Sequence, residues 1–223
     1  MTSRLDGESV VADERMEQIL AAACRAIVRL GFSSTRIADV AREAGTSTGT
    51  VHYYFETKDD VLVAALKWAC ERPYRRLDEV LSPDDDATTK LAKLIELSVP
   101  YPGSVRDEWV LWLEFWSRAL RRPDLVEESE KISRRWRSYF FDIVAEGVES
   151  GEFRSVTRPE EVAERLIALV NGLGVEAVAE HRWMGPERFR ELVFRFTAEQ
   201  LGVAYEKLDA GAAALGAPAE RSV

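Results

Sequence analysis

The run Gly31-Phe32-Ser33-Ser34-Thr35-Arg36-Ile37-Ala38-Asp39-Val40-Ala41-Arg42-Glu43-Ala44-Gly45-Thr46-Ser47-Thr48-Gly49-Thr50-Val51-His52-Tyr53-Tyr54-Phe55-Glu56-Thr57-Lys58 commits its part of the chain to two short helices joined by a tight turn. In the first, Ile37, Val40, Ala41 and Ala44 recur at helical spacing and share one side. Thr35 stands where a hydroxyl can cap free backbone N–H groups. Gly45 ends this helix, because a glycine past the last turn takes the left-handed conformation without Cβ strain. The second helix begins at Thr46 or Ser47 and runs to about Tyr54, with Val51 and Phe55 pointing inward.

The outward face of the second helix carries Thr46, Ser47, Thr48, Gly49, Thr50, His52, Tyr53 and Tyr54, which are small or hydrogen-bonding groups and poor helix formers. A surface helix shaped by stability alone would present Glu, Lys and Ala there. Hydroxyls, a glycine that permits close approach and phenol groups suit phosphates and base edges instead. The expected nucleic-acid contacts are therefore Thr35, Arg36, Thr46, Ser47, Thr48, Gly49, Thr50, His52, Tyr53, Tyr54 and Lys58.

These residues resemble the TetR family of one-component regulators. The family pattern has an N-terminal helix, Ala-Gly at the turn, an aromatic-rich tetrad ending in Phe and a Lys opening the next helix. Ala44-Gly45, His52-Tyr53-Tyr54-Phe55 and Lys58 meet it. The resemblance covers residues 13 to about 66; downstream, only length and an all-helical pattern match. At His52 many members carry Tyr, so a contact made there by a phenol falls here to an imidazole. The resemblance implies an all-α homodimer that binds a palindromic double-stranded DNA operator and answers to a small-molecule effector.

Charge opposes that reading at first sight. The chain has a net charge of −9, whereas nucleic-acid binders usually show a basic footprint. Within residues 31–58, Arg36, Arg42 and Lys58 balance Asp39, Glu43 and Glu56. Affinity must come from a few positioned contacts, from helix N-termini at Thr35 and at Thr46 or Ser47, and from doubling the module in a dimer. The 46% hydrophobic and 31% charged composition is that of an ordinary globular protein. No apolar run approaches the roughly 20 residues that span a bilayer, and no signal-peptide pattern opens the chain, so a cytoplasmic location without membrane contact is expected. Cys24 and Cys70 fall inside helical patterns, as small buried hydrophobes rather than a redox pair.

The rest of the chain is helical throughout. Residues 1–12 lack a pattern and are expected as a flexible arm. A first helix over 14–30 completes a DNA-binding domain at 13–57, and residues 58–202 form the ligand-binding and dimerisation domain. Thr57 with Asp60 forms a reciprocal cap on a long fourth helix, which Pro73 can kink. Ser82 to Asp86 is an exposed linker. Further helices are expected at 87–98, 105–121, 124–150, 158–181 and 186–200. Thr157 with Glu160 repeats the capping pattern, and the tail over 203–223 is either helix or disorder. The helix at 158–181 holds Val162, Leu166, Leu169, Val170, Leu173, Val175 and Val178 with Gly172 and Gly174, too apolar for one exposed face. Pairing it and the helix at 186–200 with symmetry mates makes a four-helix dimer interface.

Aromatic residues mark a candidate effector site. Trp109, Trp112 and Trp116 share one helical face, with Glu114 and Phe115 between them. Trp68, Tyr139 and Phe140 add rings, and Asn171 and Glu176 complete the set of expected ligand contacts. Indole is the best side chain for holding a cation over its face. Glu114, however, lies two residues from both Trp112 and Trp116, about 200 degrees around the helix. The segment Trp112-Leu113-Glu114-Phe115-Trp116, followed by Arg122-Pro123-Asp124-Leu125, is similar to the betaine- and choline-responsive branch of the family. That similarity implies an amine, polyamine or quaternary ammonium effector; the residues alone also accommodate a neutral lipophilic one.

The expected function is a transcriptional repressor released by its effector, and an activator would have the same sequence. Enzymatic function is not expected: His52 and His181 are the only histidines, and the chain has no His-Glu-x-x-His or Cys-x-x-Cys motif and no Gly-rich phosphate loop after a strand. Neither catalytic residues nor a metal or cofactor is expected. A carboxylate-only hydrolase and a helical adaptor with a decayed DNA module are the different-class alternatives.

Overall fold

The short helices around Gly45 form where the periodicity puts them, and all regular structure among the described residues is helical. The computed structural model describes residues 3–154 and 158–215. Its helices are α1 (Ser3–Leu30), α2 (Ile37–Glu43), α3 (Thr48–Tyr54), α4 (Lys58–Val80), α5 (Ala87–Glu96), α6 (Ser104–Ala119), α7 (Pro123–Glu149), α8 (Pro159–Val178), α9 (Pro186–Leu201) and α10 (Tyr205–Ala213). Among the described residues no helix is long and apolar enough to cross a membrane.

One boundary differs from the sequence expectation, and one alternative left open there takes a definite form. The first helix starts at Ser3, not near 14, because no proline precedes Pro73 and each added residue gains one backbone bond. The tail past Val203 is folded over Tyr205–Ala213, where Leu208 and Ala212 are buried. The Thr157 cap lies outside the described residues; Arg158 is the cap residue of α8, and Pro159 opens the helix where its missing N–H costs nothing.

The chain divides into two compact units. The first runs through Arg72 and includes Val110–Arg121 of α6. The helix α4 begins at Lys58, where the second domain was expected to start, and runs unbroken past Pro73. The core of this unit is built from Ile19, Ala23 and Ile27 of α1, Val40 of α2, Val51 of α3, Leu62 and Leu66 of α4 and Phe115 of α6, all fully buried. Cys24 donates its Sγ–H to Ala65 O at 3.3 Å, and burial pushes its thiol up to about 12. It stays protonated and unreactive, as a buried hydrophobe should.

In the second unit, α5 is the central element. Eight of its ten residues are buried, and it packs against α7, α9 and α10. Its N-terminus is secured twice. Asp86 accepts from the Thr89 N–H at 2.7 Å, and the Glu152 carboxylate accepts from the N–H groups of Ala87 and Thr88, each at 3.2 Å. Asp85 pairs with the Lys93 ammonium at 2.6 Å, so the expected linker is anchored.

Candidate nucleic-acid interface and ligand-contacting residues

The turn between α2 and α3 is set by backbone chemistry. Gly45 has φ +61°, its N–H donates to Arg42 O at 3.2 Å, and the Thr46 N–H reaches back to Ala41 O at 2.9 Å. This paired closure is the Schellman arrangement, which satisfies carbonyls the helix end leaves free. Ser47 then caps α3, its Oγ accepting from the Thr50 N–H at 3.0 Å. Val51 is fully buried and pins α3 against the unit; Phe55 is half-buried.

The opposite face of α3 is open. Ser47, Thr48, Gly49, His52 and Tyr53 are exposed, while Thr46, Thr50 and Tyr54 are half-buried. Tyr53 is 83% exposed, and its ring meets that of Tyr54 edge-on, at 5.1 Å between centroids. An aromatic ring so placed contributes little to the core. Arg36 is also exposed and is the cap residue of α2, where its N–H donates to Asp39 Oδ2 at 3.0 Å.

Thr35 corrects the expectation. It is fully buried, its hydroxyl donates to Gly31 O at 2.8 Å, and it neither caps α2 nor faces outward. The turn before α2 needs that bond to close, which draws Thr35 inward. Lys58 is partly occupied: its Nζ donates to Ser33 O at 2.7 Å. The local charge is neutralised by pairs as well as by number, since Arg42 binds Asp39, and Arg25 and Arg29 bind Glu43.

The expected ligand-contacting residues separate into distinct settings. Within the first unit, Trp112 and Trp116 form a perpendicular, half-buried pair at 5.3 Å. Phe115 is fully buried core. Glu114 points elsewhere: its Oε2 accepts from Arg118 Nη1 at 2.5 Å and its Oε1 from the Phe32 N–H at 3.4 Å. Trp68 lines a cavity of about 330 Å³ with Glu14, Glu17, Gln18 and Ala21, and Arg72 lies 5.2 Å over its ring.

Within the second unit, Trp109 donates its indole N–H to Ser98 O at 2.9 Å. Tyr139 stacks on Tyr74 at 6.0 Å and donates its hydroxyl to Asp78. Fully buried Phe140 meets the edge of Trp136 at 5.1 Å. Tyr74 is the ring the sequence reading missed: it is fully buried, touches both Trp136 and Tyr139, and carries the Arg135 guanidinium 4.5 Å from its centroid. Asn171 is half-buried, and Glu176 is engaged with His181 Nδ1 at 2.5 Å. A second missed feature is the two-point pairing of Arg76 with buried Glu108, at 2.8 and 3.1 Å. No local spacing announces a pair so far apart in the chain. Among the described residues no cluster of His, Cys, Asp or Glu could hold a metal ion.

Two family models match separate stretches of the chain. The family model for bacterial regulatory proteins of the TetR family matches residues 19–65, and that for the BetI-type transcriptional repressor C-terminal domain matches residues 87–202. The chain is 26% identical over 184 residues to the HTH-type transcriptional regulator PksA of Bacillus subtilis, covering 82% of this chain and 88% of that one. It is 27% identical over 196 residues to the HTH-type transcriptional regulator BetI 1 of Chromohalobacter salexigens, covering 84% and 90%. Among solved structures, a transcriptional regulator from Saccharomonospora viridis, in complex with choline, superposes with a TM-score of 0.79 at 33% identity, covering 85% of this chain and 98% of that one.

Proposed function

Because the chain belongs to the TetR family of bacterial regulatory proteins and carries a BetI-type repressor C-terminal domain, we propose that it is a homodimeric repressor that releases a palindromic operator when a choline-like cation binds. The observation that carries the DNA reading is the open face of α3. Tyr53 is 83% exposed beside exposed Thr48, Gly49 and His52, on a helix whose other face is pinned by Val51. In this reading Thr48, Gly49, Thr50 and His52 approach base edges, while Tyr53, Tyr54 and Lys58 hold phosphates.

The dimer is supported by the outward side of α8. Leu169 and Leu173 are half-buried, Val175 is 37% exposed, and a β-carbon at Gly172 would meet nothing within 4 Å. Leu192 and Phe196 of α9 are likewise half-buried. A second copy would cover these groups, and a dimer would double a module that has too few free cations to bind alone.

The cationic effector is supported by the excess of indoles and by the likeness to a regulator solved with choline. Trp112 and Trp116 are the candidate rings, and a desolvated cation over an indole gains about 2 kcal/mol or more. Release requires that the cation bind the non-reading state more tightly than the reading one.

The test is fluorescence anisotropy on a duplex taken from upstream of the protein's own gene, with and without choline, beside sedimentation. Tight binding by a dimer and release by choline are expected. If only neutral lipophilic compounds or fatty acids released the duplex, the rings would line a plain apolar pocket and the cation reading would fall.

A further inference from the structure

We propose that Arg118 and Glu114 are positioning residues for the DNA-reading module, closing a cage around Phe32 that the chain's own guanidinium fills. The claim rests on the DNA-binding reading above and deepens it. Arg118 Cζ lies 3.4 Å from the centroid of the Phe32 ring. The same guanidinium donates from Nη1 to Glu114 Oε2 at 2.5 Å and to Glu114 O at 3.1 Å. Glu114 Oε1 accepts from the Phe32 N–H at 3.4 Å. Three groups are thus closed on one another, and α6 is joined to the turn between α1 and α2.

An exposed pair one helical turn apart contributes little by itself. Here the side chains of Arg118 and Glu114 are only 18% and 27% exposed and the Phe32 ring is buried, so the cage is shielded from water. A guanidinium stacks flat on a ring while its edge stays free to bond a carboxylate, which a lysine ammonium does not reproduce.

The position of Phe32 gives the cage its consequence. Immediately after it, Thr35 closes the turn onto Gly31 O and Lys58 holds Ser33 O. Arg36 then opens α2, which the Gly45 turn, closed by the bonds of Gly45 N–H to Arg42 O and Thr46 N–H to Ala41 O, joins to α3. The direction in which the chain leaves Phe32 therefore sets where the reading helix lies. Base contacts tolerate only about half an ångström of error, so a loosened turn weakens reading even in a folded protein. Both Glu114 oxygens are also taken, which leaves a cationic effector to find its counter-charge on another residue.

The experiment uses the full chain as wild type and as Phe32→Leu, Glu114→Gln, Arg118→Lys and Arg118→Met. Four quantities are read: affinity for the upstream duplex well below each melting midpoint, choline affinity by calorimetry, melting temperature, and hydrogen exchange at the Phe32 amide. Arg118→Met is expected to weaken the duplex about tenfold while choline affinity stays within about twofold, and Arg118→Lys to recover part of the loss. Glu114→Gln should leave choline affinity unchanged and speed exchange at Phe32. In the double variant Phe32→Leu/Arg118→Met the losses should not add, because both act through one contact. Additive losses, or a lowered melting temperature with full duplex affinity, would overturn the assignment. If the wild type itself ignores the duplex, the DNA reading fails; Phe32 exchange still judges the cage, and wild-type exchange in Arg118→Met would end the proposal.

Discussion

Trp109 packs against Gly174 so closely that a β-carbon there would sit 2.3 Å from the indole. The contact joins α6 to α8, and the indole N–H is committed to Ser98 O. Replacing a mid-helix glycine by alanine ordinarily gains about 1 kcal/mol. Here overpacking opposes that gain, at about 1–3 kcal/mol. Gly174→Ala should therefore lower stability in urea titrations, and Trp109→Leu should relieve the loss. An alanine variant more stable than wild type would show that the indole moves aside freely.

Ser47 performs two separable tasks. Its Oγ caps the Thr50 N–H, and it stands exposed on the reading face. Ser47→Ala should cost about 1 kcal/mol of stability. Ser47→Asp should restore the cap while placing a negative charge toward phosphate, so melting recovers and duplex affinity does not. Recovery of both would remove Ser47 from the interface.

Lys58 holds Ser33 O at 2.7 Å yet is expected to hold a phosphate. If it does, Lys58→Ala weakens all sequences alike and reduces the salt slope of binding by about one. An unchanged slope would assign Lys58 to the turn alone. Tyr53→Ala should also weaken binding without lowering stability, because its ring is 83% exposed.

Acid should loosen the first unit. The Arg36 N–H and then Arg42 hold the Asp39 carboxyl below its ordinary value, and Arg25 does the same for Glu43. A carboxyl whose folded value is depressed stabilises above its unfolded value, and that stability is lost as pH falls through the folded one. Melting temperature should hold near neutrality and fall below the ordinary carboxylate range, with smaller losses in Asp39→Asn. An equal acid loss in that variant would exclude Asp39 as a source.

Leu173 lies on the proposed dimer face. Leu173→Glu should give helical monomers by sedimentation and circular dichroism that no longer hold the duplex. A tight-binding monomer would refute the α8–α9 interface.

Most of the local structure was legible in the residues. Gly45 at the turn, the Ser47 cap and the Thr57–Asp60 reciprocal cap all form, the last with bonds of 2.7–3.1 Å. Each depends on groups within a few positions of one another, so spacing is enough to reveal them. Thr35 shows the limit. Its hydroxyl suited a cap, but closing the turn onto Gly31 O drew it inside.

The candidate ligand residues were legible as types and not as partners. Trp112 and Trp116 meet because helical geometry makes neighbours of residues four apart. Glu114 shares their helix, yet its carboxylate serves Phe32, 82 positions earlier. Sequence alone determined the two short helices around Gly45, the Ser47 and Thr57–Asp60 caps and the open polar face of α3, since those follow from bonds and periodicities a few residues long. Only the tertiary structure decided that Arg118 fills the cage at Phe32 and that Gly174 gives way to Trp109. Such contacts arise when distant helices pack at close range, where shape and burial select the partner and spacing in the chain carries no record of the choice.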